Sequence, residues 1–122
     1  MIKPGERHRA KYWGRFHINK VAELPEPAVF DTPQWGKSSF RPTIAEIQWE
    51  NGNKELWFPY WIGPVGKERF GQGAAMIAEK EFLVLLREAI RQQFFSEEFL
   101  SDLGKATGGE ETNRYSANFR QD

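Results

Sequence analysis

The chain has 122 residues, a neutral formal charge from 17 basic and 17 acidic side chains, and no cysteine. That length corresponds to a single domain, and the charge balance supplies no bulk field for nucleic acid or a membrane. The missing thiols exclude a disulfide frame, a cysteine zinc site and a thiol nucleophile.

Charge is nevertheless unevenly spread. Residues 1–15 carry Lys3, Arg7, Arg9, Lys11 and Arg15 against Glu6, five minus one, or +4. Residues 96–122 carry three basic and six acidic residues, or −3. Residues 1–10 hold the breaker Pro4-Gly5 and read as a basic mobile arm ahead of a folded body at 11–104. No apolar signal-peptide stretch occurs there, and the apolar run Phe82–Leu86 is far below the about 20 residues of a membrane span. A cytoplasmic location without membrane contact is the expectation.

From Tyr12 to Ala22 the pattern alternates loosely and predicts a strand. Tyr12, Phe16 and Ile18 fall on one side; Trp13, Arg15, His17 and Asn19 fall on the other. Residues 23–42 contain Pro25, Pro27, Pro33, Gly36 and Pro42, which predicts an ordered loop, because proline lacks a backbone donor. Val29, Phe30, Trp35 and Phe40 would pin that loop to the body.

The next segment, IAEIQWENGNKELWFPYWIG, predicts a hairpin of strands 44–51 and 52–62 around Asn51-Gly52. A two-residue turn would pair Glu50 with Asn53. Ala45, Ile47, Trp49, Leu56 and Phe58 would then form the core face, with Glu46, Gln48, Glu55, Trp57 and Trp61 on the other. Pro59 should end or bulge the ladder near Ala45/Phe58.

Gly63–Gly73 reads as a glycine-rich loop. A long helix is expected from about 74 to 95, its stripe formed by Leu83, Leu86, Ile90 and Phe94. Phe82–Leu86 is apolar around most of its circumference, which predicts a helix caught between two surfaces, the second being another copy of the chain. Ser96 caps a short helix expected at about 97–103, closed by Gly104, before a disordered tail at 105–122. The expected fold is therefore α+β: an antiparallel sheet of three or more strands packed on one long helix.

Aromatic rings beside carboxylates and an amide make Glu46, Gln48, Glu55, Trp57 and Trp61, with Trp13 and His17 from the first strand, the foremost candidate surface. Tryptophan is enriched in interface cores, so a homodimer or higher homo-oligomer contact is preferred there over a small-molecule pocket. The leading expectation is a non-catalytic, homo-oligomeric binding or interaction module. The alternative is a small-ligand binder or small enzyme using Glu46, Glu55 and His17.

Lys67, Arg69, Gly71 and Gly73 form a possible anion site before the helix, although neither GxxxxGK[ST] nor GxGxxG occurs. A third reading places nucleic acid on the basic arm, against which the neutral net charge weighs. No catalytic set, metal site or cofactor is assigned, since neither HExxH nor GxSxG is present. No family's motif set is matched.

Overall fold

The computed structural model describes residues 1–10, 14–73 and 75–108. Its strands are β1 (Arg7–Ala10), β2 (Gly14–Glu23), β3 (Ala28–Thr32), β4 (Gly36–Trp49), β5 (Lys54–Trp57), β6 (Tyr60–Pro64) and β7 (Arg69–Phe70). Two helices follow, α1 (Glu79–Arg91) and α2 (Glu97–Gly108). The architecture is thus mostly β, a seven-stranded antiparallel sheet curled into a half-barrel with two short helices. This corrects the expected sheet packed on one long helix.

β4 is the spine. Its fourteen residues are paired along both margins, with β2 and β3 on one and β5 and β6 on the other. The expected proline-rich loop is therefore largely strand. The prolines sit where the ladder needs no donor. Pro25 and Pro27 lie in the gap between β2 and β3, and Pro33 lies in the turn before Gly36. Pro42 lies inside β4. The N–H of Thr43 points to the β5–β6 margin, donating to the Pro59 carbonyl at 3.0 Å. Amides alternate along a strand, so Pro42 faces the other margin, where pairing lapses between Glu23 and Ala28.

The hairpin register differs from the expected one by a single residue. Trp49, not Glu50, pairs with Asn53, its N–H donating to the Asn53 carbonyl at 2.9 Å. The loop holds three residues, Glu50, Asn51 and Gly52. Gly52 has φ +92° and Asn51 is not left-handed, so the two-residue turn requiring positive φ at both centres is not formed. The Asn51 side-chain oxygen accepts from the Asn53 N–H at 2.9 Å. From Gln48/Lys54 to Ser38/Pro64 the register then stays constant across Phe58-Pro59. Pro59 splits the strand into β5 and β6 without bulging it.

Each face of the sheet carries a buried cluster. On one, Ala22, Leu24 and Ile44 pack against Leu85, Ala89 and Phe94. On the other, Ile2, Phe16, Ile18, Ala45 and Ile47 form a second cluster inside the curl. The N-terminal segment, expected as an arm, follows the sheet: Gly5 donates to the Ile18 carbonyl at 2.7 Å, and Ile2 is buried beneath.

α1 is shorter than the expected 74–95 and turned about its axis. Leu85 and Ala89 are its buried residues, while Phe82, Leu83, Val84 and Ile90 are exposed. It ends in a Schellman turn: Phe94 donates to the Ala89 carbonyl and Gln93 to the Ile90 carbonyl. Gln93 takes the left-handed conformation at φ 60° that glycine usually fills. Lys20 donates to the Gln93 carbonyl at 3.0 Å, and Gln92 donates to the Val21 carbonyl at 2.8 Å, so the turn is tied to β2. Phe94 thereby enters the core from beyond the helix. α2 runs past Gly104 to Gly108, five residues beyond the expected 103; the rest of the expected tail, 109–122, lies outside the described residues. Among the described residues, no helix is long and apolar enough to cross a membrane.

Two outcomes follow. Leu85→Ala is expected to cost about 2–4 kcal/mol in urea unfolding and Leu83→Ala less than about 0.5, an order that the stripe expected from sequence would reverse. Gln93→Gly relieves the left-handed backbone and is expected to raise stability by about 1 kcal/mol, read as a higher urea midpoint at unchanged slope.

Candidate functional site

Six rings from six strands gather on the concave face: His8 (β1), Phe16 (β2), Trp49 (β4), Trp57 (β5), Trp61 (β6) and Phe70 (β7). The register shift creates this set. Trp57 is opposite Ala45, so it points to the same side as Ile47 and Trp49. Phe16 is opposite Trp49, and His8 is opposite Phe16. Trp61 is opposite both Arg41 and Phe70.

Trp57 is the hub. Its ring centroid lies 5.5 Å from Phe16, 5.9 Å from His8 and 6.0 Å from Phe70. His8 belongs to one margin of the sheet and Phe70 to the other, so the curl brings both margins onto one indole. His8 also stacks on Phe16 at 5.6 Å, and Phe16 meets Trp49 edge-on at 5.2 Å. Such offset and edge-to-face pairs align positive ring edges with negative faces.

The rings bound an open cavity of about 710 Å³ whose floor includes Ile2 and Ile47. Glu6, Arg9 and Glu55 supply its charged lining. The His8 ring nitrogen and the Glu6 carboxylate lie 3.1 Å apart. The rim thus offers both signs of charge around an apolar interior.

The candidate surface expected from sequence is divided by the sheet. Glu55, Trp57 and Trp61 are in or beside the cup. Glu46 and Gln48 point to the helix-bearing face, where the Asn19 amide donates to both, at 3.2 Å each. Glu46 is 6 % exposed. His17 is opposite Gln48 and shares that outer face. The two carboxylates of the enzyme alternative therefore point to opposite sides. Trp13 lies outside the described residues.

The proposed anion residues are also distributed. Lys67 closes a turn onto the Pro64 carbonyl at 2.8 Å, and Arg69 is in β7 opposite Ile62. Gly71 donates to the Tyr60 carbonyl at 2.8 Å, and Gly73 donates to the Tyr60 hydroxyl at 3.0 Å. A Cβ on Gly71 would fall 1.9 Å from the Tyr60 ring, so glycine permits this close approach. α1 begins only at Glu79, with Glu79 and Glu81 in its first turn. The glycine loop therefore packs on Tyr60.

Elsewhere, the Ser39 hydroxyl donates to Glu68 at 2.6 Å and lowers that carboxyl below its ordinary range, helped by backbone donors and Arg41. Arg91 and Gln92 hold the Glu88 carboxyl down at about 2, and Glu88 in turn raises Arg91. Neither carboxylate lines the cup.

Comparison with protein-family models, with curated proteins and with solved structures finds no match. Sequence inspection overlooks His8, Phe16 and Phe70 as partners of Trp57. Phe70 stands alone in a glycine loop, and His8 in a basic segment. Only long-range pairing brings them to one indole.

Proposed function

We propose that this protein is a non-catalytic binding module whose working surface is the aromatic cup around Trp57. The observation that carries this reading is the convergence of six rings on one open cavity of about 710 Å³. Small-ligand sites have this scale and composition, with an apolar lining and a few polar groups for orientation. The ligand class is a compact molecule with a flat, largely apolar face that stacks against an indole and a polar edge that meets Glu6, Arg9 or Glu55. Catalysis by Glu46 and Glu55 together is disfavoured, because the sheet separates them. The expected outcome of fluorescence titration with adenosine, indole and methyl β-glucoside is quenching by at least one of the three. Trp57→Ala should then weaken that ligand by at least about tenfold, as aromatic hot spots do, with the fold retained by circular dichroism. Absence of any response, or an affinity indifferent to Trp57→Ala, sinks the proposal.

A second reading, self-association, is favoured by the outer surface of α1. Phe82, Leu83 and Ile90 are exposed beside the buried Leu85–Ala89 strip. In α2, Phe99 is exposed and stacks on Phe95 at 4.8 Å. The occupant proposed is a second copy of this chain, since a two-fold axis lets one apolar strip cover its own image. Light scattering after size exclusion should give twice 14.2 kDa, and Leu83→Glu with Ile90→Glu should return the mass to 14.2 kDa. A wild-type monomer at high concentration rejects self-association and leaves the cup unaffected.

A further inference from the structure

Through the sheet from the cup lies a second open concavity, of about 670 Å³, lined among others by Arg7, Arg9, Arg15, His17, Gln48 and Glu50. Its origin is the strand register. Arg7 is opposite His17, His17 opposite Gln48, and Gln48 opposite Lys54. These four side chains form a row across β1, β2, β4 and β5, because opposed residues in antiparallel strands point to the same side. With strands about 4.8 Å apart, the row is about 14 Å long. Arg9 and Arg15 oppose one another in the neighbouring row of β1 and β2.

Arg7, Arg9, Arg15, His17 and Lys54 are all exposed. None of them makes an ion pair among the described residues. Glu50 is the acid that lines this concavity. Like charges placed directly opposite one another destabilise a sheet, so Arg9 facing Arg15 has an unfavourable arrangement that an anion laid across it would relieve. Gln48 is already bonded, accepting from Asn19 and donating to the Gly52 carbonyl at 3.2 Å, so it forms a neutral floor between the cations.

The two concavities meet. His8, Arg9, Phe16 and Trp49 line both of them. Cations on one side of a margin and rings on the other suit a chain whose phosphates and bases are separable. Only unpaired bases offer their faces to rings, and a charged track beside aromatic platforms is how single strands are held.

We propose that the outer face of β1, β2, β4 and β5 binds the phosphate backbone of single-stranded nucleic acid through Arg7, Arg9, Arg15 and Lys54. The neutral net charge obscures this face, because Glu50 is set against Arg7, Arg9 and Arg15 in its lining. The arginine face touches the cup at the shared margin of His8, Arg9, Phe16 and Trp49.

The test is fluorescence anisotropy of the full chain with a labelled oligothymidylate of about 12 nucleotides, a length within the usual site sizes. Three or four phosphate contacts give a log–log salt slope of about −2 to −3. Arg15→Glu should weaken the oligonucleotide about tenfold at low salt. The same substitution sets opposite charges across β1 and β2, so the melting temperature should not fall, which separates lost contact from lost fold. Failure to bind at about 20 mM salt, where such contacts are strongest, overturns the proposal. So does an affinity that Arg15→Glu leaves unchanged. Equal or tighter binding of the annealed duplex, or of phosphatidylserine vesicles, assigns the face to another polyanion and likewise overturns it. Failure of the cup reading shows separately, as small-molecule titrations indifferent to Trp57→Ala.

Discussion

The bond from the Trp49 amide to the Asn53 carbonyl fixes the side of the sheet on which every residue of β5 and β6 lies. It closes a three-residue loop in which Gly52 alone adopts the left-handed conformation. Had the loop been one residue shorter, Trp57 would stand on the helix face beside Glu46, and no cup would exist. Because the register then holds through Phe58-Pro59, the same bond also places Trp61 and, through β7, Phe70. β4 transmits that choice across the molecule, since it is paired along both margins.

Much of the local structure was legible in the sequence, and most of the long-range structure was not. The position of the hairpin and a strand over most of 12–22 follow from Asn-Gly and from alternation, and β2 runs Gly14–Glu23. The register does not, because an Asn-Gly pair serves both the two-residue turn and the longer loop, and the choice rests on one backbone angle at Asn51. β3 and the first half of β4 were hidden by prolines: Pro25, Pro27 and Pro33 fall between strands, and Pro42 is tolerated within β4 because pairing lapses on the margin it faces. The helix was visible by its period but not by its orientation: with apolar residues on most sides, periodicity cannot say that Leu85 rather than Leu83 meets the sheet. Phe94 continued that period, yet it reaches the core through a turn centred on Gln93, which no propensity would place in a left-handed conformation.

The candidate site shows the same division. Trp57, Trp61 and Glu55 are recognisable as an aromatic and acidic group, but their neighbours are not, because parity along β5 depends on whether the loop holds two residues or three. Glu46 and Gln48 belong with Asn19 on the helix side, where their contacts are satisfied internally. His8 and Arg9 are consecutive yet alternate in direction, one toward the rings and one toward the arginine row. A two-sided sheet can therefore keep an apolar receptacle and a cationic track within one strand's thickness of each other, a segregation that neither composition nor net charge records.

The two margins of the half-barrel meet at Trp57 through ring contacts, with β1 and β7 not paired to each other. A hydrogen-bonded seam would set the spacing at about 4.8 Å and make any widening cost ladder bonds. Aromatic edges and faces keep their attraction over centroid separations of about 4.5–7 Å. The cup is consequently compliant across its mouth and stiff along β4. On the binding proposal, guests of different thickness would be accommodated by rings sliding over one another while the backbone hydrogen bonds of the sheet stay intact.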